Sequence, residues 1–372
     1  MLVVPASYFA PNRVVGGGER YALEYARALA EHVPTTLALF DLQARSETLG
    51  ALAIRTFRVK KLDERRGFPI TRETWNAFGN FDVFHVMVFP TPLADLLALY
   101  ARLFGRKLVL TDVGGGGTCW SAYLQKIHRR ANLNRLAHGL AFLSEYSAGF
   151  FRDWQRPKAI LHGGANLQDF SPTPSASAGY ALFVGRLLPH KGVLPLIEAL
   201  NGHTPLHIVG RPYDQGYLEQ LRAAARGKQV QFILDADEEE LRRQYAGANV
   251  ALQPSLPSTE APEDKSELLG LVAIEAMACG KPVIVTRTGS LPELVVDNET
   301  GFIVPPGDAS ALRARVEQLL SDVALSQRMG AAARNHVESC FTWGRVARRG
   351  LEFYDRLLGN ESPPAAASNE RA

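Results

Sequence analysis

Cysteine is scarce in this chain: Cys119, Cys279 and Cys340 are odd in number and far apart along 372 residues. That spacing speaks against a disulfide framework and for a reducing, cytoplasmic compartment. No uninterrupted apolar run approaches the ~18 residues that a spanning helix needs, so no membrane-crossing segment is expected. The opening Met1-Leu2-Val3-Val4-Pro5 has no basic stretch before it and soon meets Arg13 and three glycines. It reads as a buried first strand rather than a leader. No Ser-His-Asp or Cys-His grouping stands out, no Gly-x-Gly-x-x-Gly fingerprint is present, and no nucleic-acid motif accompanies the basic residues. Nucleophilic hydrolysis, dinucleotide binding and nucleic-acid partners are therefore disfavoured.

What is present is an ordinary globular composition, 46% hydrophobic and 21% charged, in a chain long enough for two domains. The net charge of +3 hides an asymmetry: residues 1–170 carry 21 Lys/Arg against 14 Asp/Glu, and the remainder 20 against 24. A basic first half suits an acidic partner, such as anionic lipid or a charged acceptor; scattered solvated arginines are the plainer alternative.

Short apolar runs alternate with helical patterns, the signature of parallel βαβ units. Strands are expected at Leu2–Pro5, Thr35–Phe40, Val83–Val88, Lys107–Thr111, Gly139–Leu143 and Lys158–Leu161. A Pro/Ser/Ala-rich linker follows near residues 171–179, and then strands at Tyr180–Val184, Leu206–Val209, Val230–Leu234, Val250–Gln253 and Pro282–Thr286. The expected architecture is α/β: two doubly wound, Rossmann-like domains, 1–172 and 178–342, facing across a cleft. A helix over 343–360 crosses back onto the first domain, and 361–372 forms a disordered tail.

Three segments carry the chemistry. Glu267 and Glu275 lie eight positions apart around Gly270, which opens a helix from about Leu271 to Gly280; Glu275 is expected to project from the early turns while Ala273, Ala276 and Met277 pack inward. A helix start offers free N–H groups to a phosphate, and flanking carboxylates suit sugar and ribose hydroxyls. Gly185-Arg186-Leu187-Leu188-Pro189-His190-Lys191-Gly192 follows the first strand of the second domain, supplying one planar fork and one point charge for a diphosphate. Gly16-Gly17-Gly18, ahead of a helix from Glu19, lets backbone approach a ligand closely.

Glu267 and Glu275 resemble the Glu-x7-Glu signature of the retaining glycosyltransferases of family four, which have the GT-B fold. The likeness runs from Gly16-Gly17-Gly18-Glu19 to the Phe341-Thr342-Trp343 helix. It implies that Glu267 contacts donor sugar hydroxyls, that Glu275 contacts the ribose, and that the amides of Gly270, Leu271 and Val272 hold the diphosphate. It also implies that Arg186 and Lys191 neutralise the leaving nucleoside diphosphate without a metal or other cofactor, and that Gly17, Gly18 and Gly185 border the donor. The implied reaction moves a sugar from a nucleoside diphosphate sugar to a glycan or lipid-linked acceptor hydroxyl, in polysaccharide or glycolipid synthesis. Asp112 departs from the pattern, standing where the family usually places a His that touches the donor sugar; it is taken here as a catalytic candidate, with a turn cap as the plainer role. That departure keeps open a sugar-nucleotide binding protein without transfer activity; an epimerase or phosphorylase on the same plan is the other alternative.

Two further features are weighed. Asp235-Ala236-Asp237 resembles a metal-binding triplet but runs into Glu238-Glu239-Glu240, an acidic helix start. Tyr123–Arg135 mixes Lys126, Arg129, Arg130 and Arg135 with Leu124, Ile127 and Leu133, which suits peripheral contact with an anionic membrane at its cytoplasmic face, or a plain solvated helix. His85, ending a buried-looking strand, reads as a packed or hydrogen-bonded histidine.

Overall fold

A computed structural model describes residues 1–4, 17–60, 71–89, 91–112, 133–173, 178–257 and 267–360. Gly16, the four-glycine run 114–117, Lys126, Arg129, Arg130 and the tail 361–372 lie outside the described residues. The first half builds one sheet from β1 (Leu2–Val4), β2 (Thr36–Asp41), β3 (Arg45–Leu49), β4 (Leu52–Arg58), β5 (Val83–Val86), β6 (Lys107–Asp112), β7 (Gly139–Phe142) and β8 (Lys158–Ile160). Their order is β3-β4-β2-β1-β5-β6-β7-β8, parallel throughout except for the β3–β4 hairpin.

The second half builds a six-stranded sheet from β9 (Tyr180–Val184), β10 (Leu206–Val209), β11 (Val230–Ile233), β12 (Ala248–Gln253), β13 (Val283–Thr286) and β14 (Gly301–Val304). The order β11-β10-β9-β12-β13-β14, all parallel, is that of a doubly wound nucleotide-binding sheet, and its topological switch point lies between β9 and β12. Both sheets are buried on two faces, which is why their strands read as short continuous apolar runs.

Every expected strand forms, and β3, β4 and β14 are additional. All five residues of β3 are exposed, so it carries no apolar alternation to read. It is tied to β4 by register alone, Leu49 opposite Leu52.

The helix Gly17–Ala30 buries Tyr21, Ala22, Tyr25, Ala26 and Leu29 against the first sheet. The helix Trp343–Leu358 starts at Thr342, whose side chain accepts from the Arg345 N–H, and lays Trp343, Val346, Ala347, Phe353 and Tyr354 into the same core. Each of the large apolar side chains among these contributes about 1.5–3 kcal/mol. The tyrosine hydroxyls of Tyr25 and Tyr354 lie 2.7 Å apart, and His85 joins them: Nδ1 is 2.6 Å from the Tyr354 hydroxyl and Nε2 is 2.5 Å from the Thr111 hydroxyl. Burial depresses the His85 imidazole to about 3, so it stays neutral as the packed, hydrogen-bonded residue that its strand suggested.

The chain thus crosses between the sheets twice. The crossings touch: the Ala165 N–H donates to the Phe341 carbonyl at 2.8 Å, and Ala165 bridges Thr342 in parallel. A separate polar contact spans the two halves. The Glu293 carboxylate accepts the Glu145 and Tyr146 N–H groups at 2.8 and 2.7 Å, with His162 Nε2 at 3.4 Å. Burial of Glu293 opposes ionisation, but His162 and the two amides outweigh it and hold the carboxyl below its usual range.

Candidate active site

A cavity of about 500 Å³ opens at the β9/β12 switch point. It is lined by Val184 and Gly185 at the end of β9, Val209 and Gly210 at the end of β10, and Gln253 and Ser255 at the end of β12. Arg186, Lys191, Glu267, Leu271 and Val272 line it as well, and Gly17 lines it from the first domain.

Lys191 sits in the single 3₁₀ turn Pro189–Lys191, which delivers its ammonium to the Glu267 carboxylate in a close ion pair. Both side chains are only 15% exposed. Burial opposes ionisation of Glu267, but the Lys191 charge, the Gly270 N–H and the Arg186 charge overcome it, and the carboxyl is held below its usual range. The Arg186 guanidinium lies 5.7 Å from the centre of the Tyr213 ring, a cation–π contact that fixes its direction.

The helix Leu271–Ala278 begins at Gly270, whose φ of 62° is left-handed. A Cβ there would lie 2.4 Å from Leu294 Cδ1, so only glycine lets the chain turn so tightly into the helix. The first N–H groups of that helix have no intrahelical acceptor, and the cavity wall at Leu271 and Val272 presents them to an anion. The loop containing Glu267 is pinned from behind: Ser290 donates to the Glu267 carbonyl through its N–H at 2.8 Å and its hydroxyl at 3.1 Å.

Of the residues singled out from the sequence, Gly17, Gly185, Arg186, Lys191, Glu267, Leu271 and Val272 line this one cavity. Gly270 caps its helix from just behind the wall, and Gly18 lies in the first turn of the Gly17–Ala30 helix without lining it.

Glu275 differs from expectation. It does not project into the open; it is 3% exposed, because its helix is buried on every side except at Val272. Its Oε1 pairs with Arg20 Nη1 at 3.0 Å, and the Tyr245 hydroxyl lies 3.4 Å from Oε2. Burial pushes its carboxyl up to about 7, with Arg20 and Tyr245 acting against that rise. Asp112 ends β6 beside Phe142 of β7, is 1% exposed, and does not line the cavity.

Three residues were not legible from the motifs. Gln253 closes β12 after the apolar run Val250-Ala251-Leu252, and its Oε1 is buried at the cavity without a hydrogen-bond partner; a polar residue ending such a run was the available signal. Tyr213 and Arg211 reach the site from the β10 loop, which no spacing marks. Asp237 of the Asp-Ala-Asp triplet caps the Glu238–Gly247 helix, accepting from Glu240 N–H at 2.7 Å. Among the described residues no group of three or more His, Cys, Asp or Glu is placed to hold a metal ion, and no helix is long and apolar enough to cross a membrane.

The model of the family described as glycosyl transferases group 1 matches residues 168–336. The GDP-mannose-dependent alpha-(1-6)-phosphatidylinositol monomannoside mannosyltransferase of Mycolicibacterium smegmatis is 32% identical over 292 residues, 72% of this chain and 74% of that protein. The chain is a group 1 glycosyltransferase by family. This group 1 member is also 33% identical, over 54% of its length, to the D-inositol 3-phosphate glycosyltransferase of Streptomyces avermitilis, of which it spans 47%. The solved sucrose-phosphate synthase from Thermosynechococcus elongatus shares the fold of the group 1 chain, with a TM-score of 0.74 at 24% identity over 97% of this chain and 99% of that one. The two facing parallel-sheet domains are thus the GT-B arrangement.

Proposed function

We propose that the chain transfers a sugar from a nucleoside diphosphate sugar to an acceptor hydroxyl with retention at the anomeric carbon, in glycolipid or polysaccharide synthesis. The observation that carries this reading is the convergence of Arg186, Lys191, Glu267 and the Leu271 helix start on one cavity at the switch point. In this reading residues 178–342 hold the donor and residues 1–172 the acceptor, with the Trp343–Leu358 helix belonging to the acceptor side.

The diphosphate lies across the Leu271 and Val272 amides, with Arg186 and Lys191 beside it. Glu267 accepts donor sugar hydroxyls and Glu275 the ribose hydroxyls. As the bond to the anomeric carbon breaks, charge grows on the diphosphate, and fixed cations aimed at that charge lower the barrier. A leaving phosphate oxygen takes the proton of the incoming hydroxyl on the same face, and no protein nucleophile and no metal is required. Asp112 accepts a hydroxyl hydrogen bond from the donor sugar once the domains close. GDP-mannose, named for the mycobacterial relative, is one candidate donor. The acceptor is a glycan or a lipid-linked glycan, met at the cytoplasmic face of a membrane.

The test is a panel of UDP-, GDP- and ADP-sugars assayed for nucleoside diphosphate release and for transfer to glycan and lipid-linked acceptors, with product anomers read by NMR. Transfer with retention is the expected result. Donor binding without nucleoside diphosphate release makes the chain a sugar-nucleotide binding protein, a reading that Asp112 favours. Transfer of the sugar to added inorganic phosphate, giving sugar phosphate, makes it a phosphorylase.

A further inference from the structure

Arg20 was given no role by any sequence motif, yet it makes the shortest contact to the second carboxylate of the Glu-x7-Glu pair, and it comes from the opposite domain. It lies on the Gly17–Ala30 helix, one turn beyond Gly17, which lines the donor cavity; Glu275 lies one turn beyond Leu271 and Val272, which line the same cavity. Arg20 Nη1 holds Glu275 Oε1 at 3.0 Å, and its guanidinium lies 5.4 Å from the centre of the Phe170 ring. Phe170 in turn meets Tyr245 edge-on at 6.0 Å, and the Tyr245 hydroxyl approaches Glu275 Oε2. Arg20, Phe170, Tyr245 and Glu275 therefore form one cluster joining both domains and the connector between them.

We infer that Arg20 is a positioning residue of the donor site, a cation lent by the first domain that keeps the Glu275 carboxylate charged and oriented to accept the nucleotide's hydroxyls. This rests on the donor reading above. An isolated buried carboxylate sheds its charge, and a neutral carboxyl is a poorer acceptor of two vicinal hydroxyls. The groups facing Glu275 are few. Glu24 on the same helix as Arg20 raises its proton affinity, and Tyr245 and Arg20 lower it. Arg334, on the neighbouring Val323–Cys340 helix, is committed to the carbonyls of Phe170 and Ala278 at 2.9 and 2.7 Å. Cys279, the residue that ends the Leu271–Ala278 helix, is a thiol that burial keeps protonated. Arg20 is thus the one guanidinium of this cluster spent on the carboxylate.

The test is calorimetric titration of UDP, GDP and ADP into wild type and Arg20→Gln between pH 6 and pH 9.5, scored as the ratio of the two dissociation constants. The ligand's own titration is common to both proteins and cancels in the ratio. Loss of a cation at this distance moves a carboxyl by about one to three pH units, and each unit is about tenfold in affinity. With the wild-type carboxyl at about 7, a shift of that size gives a ratio of about 3 to about 200 at pH 7.5, falling at least about threefold by pH 9.5 as Glu275 ionises unaided. Arg20→Lys is expected to keep the wild-type profile. In a Glu275→Gln background, where no charge remains to be held, Arg20→Gln is expected to cost no further affinity. A ratio constant across pH, a ratio near one throughout, or an added loss in the Glu275→Gln background overturns the role of Arg20. A wild type that binds none of the three nucleotides overturns the donor reading itself.

Discussion

Gly289 makes the sharpest single test of the site, because it touches the machinery only through backbone. Its φ is 58°, and a Cβ at this position would lie 2.1 Å from the Glu267 carbonyl oxygen and 3.0 Å from Glu267 N and C. None of these is the far end of a flexible side chain. Relieving the contact requires roughly 1 Å of movement in the chain that carries Glu267, or in the loop that Ser290 ties to it. Gly289→Ala is thus expected to pull the Glu267 carboxylate off the Lys191 ammonium while leaving every polar group in place. Misplacement on this scale costs about 100-fold in rate, so kcat/KM should fall by about two orders of magnitude. The left-handed conformation adds about 1–2 kcal/mol of destabilisation, a drop in melting temperature of about 2–8 °C. Nucleoside diphosphate release with the cognate donor, measured alongside thermal melting, checks both numbers. A kcat/KM within about threefold of wild type, in a variant that melts a few degrees lower, refutes the claim that this backbone approach fixes Glu267.

Arg186→Ala should lower kcat by about 100-fold, by analogy with deletion of one transition-state donor; an unchanged single-turnover rate rejects its role at the departing diphosphate. Glu275→Gln should raise the melting temperature more at pH 8 than at pH 5. The folded-state value of about 7 lies above the ordinary 4.5, so the native protein binds the extra proton between those values and loses stability as pH rises through that window. The amide escapes that loss, and equal gains at the two pH values refute the assignment. His85 has the opposite sign: its value of about 3 lies below the ordinary 6.5, so its contribution is complete above 6.5 and is lost as pH falls toward 3. Amide protection factors in the Trp343–Leu358 helix, corrected for intrinsic exchange at each pH, should therefore fall below pH 6.5 in wild type and change less in His85→Phe.

What was legible from the residues was whatever lies close along the chain. Arg186 and Lys191 share the one loop after β9, and Glu267, Gly270 and Leu271 flank one helix start, so their convergence is a matter of local spacing. The strands were legible because both sheets are buried on two faces. β3 escaped because a fully exposed edge strand has no apolar period. The burial of Glu275 was missed because helical period predicts one apolar face, whereas this helix is enclosed on nearly all sides by the second sheet, the Val323–Cys340 helix and the first domain. Arg20 and the Glu293 contacts with Glu145 and Tyr146 join residues far apart in the chain, and nothing local announces such pairs.

The double crossing at Ala165 and Thr342 has a mechanical corollary. Two backbone segments hydrogen-bonded side by side behave like a pair of pins on one door: they permit a swing about their common line and resist twisting or sliding. A rotation of one half against the other about this pair would carry Gly17 and Arg20 together along one arc past the Leu271 helix start.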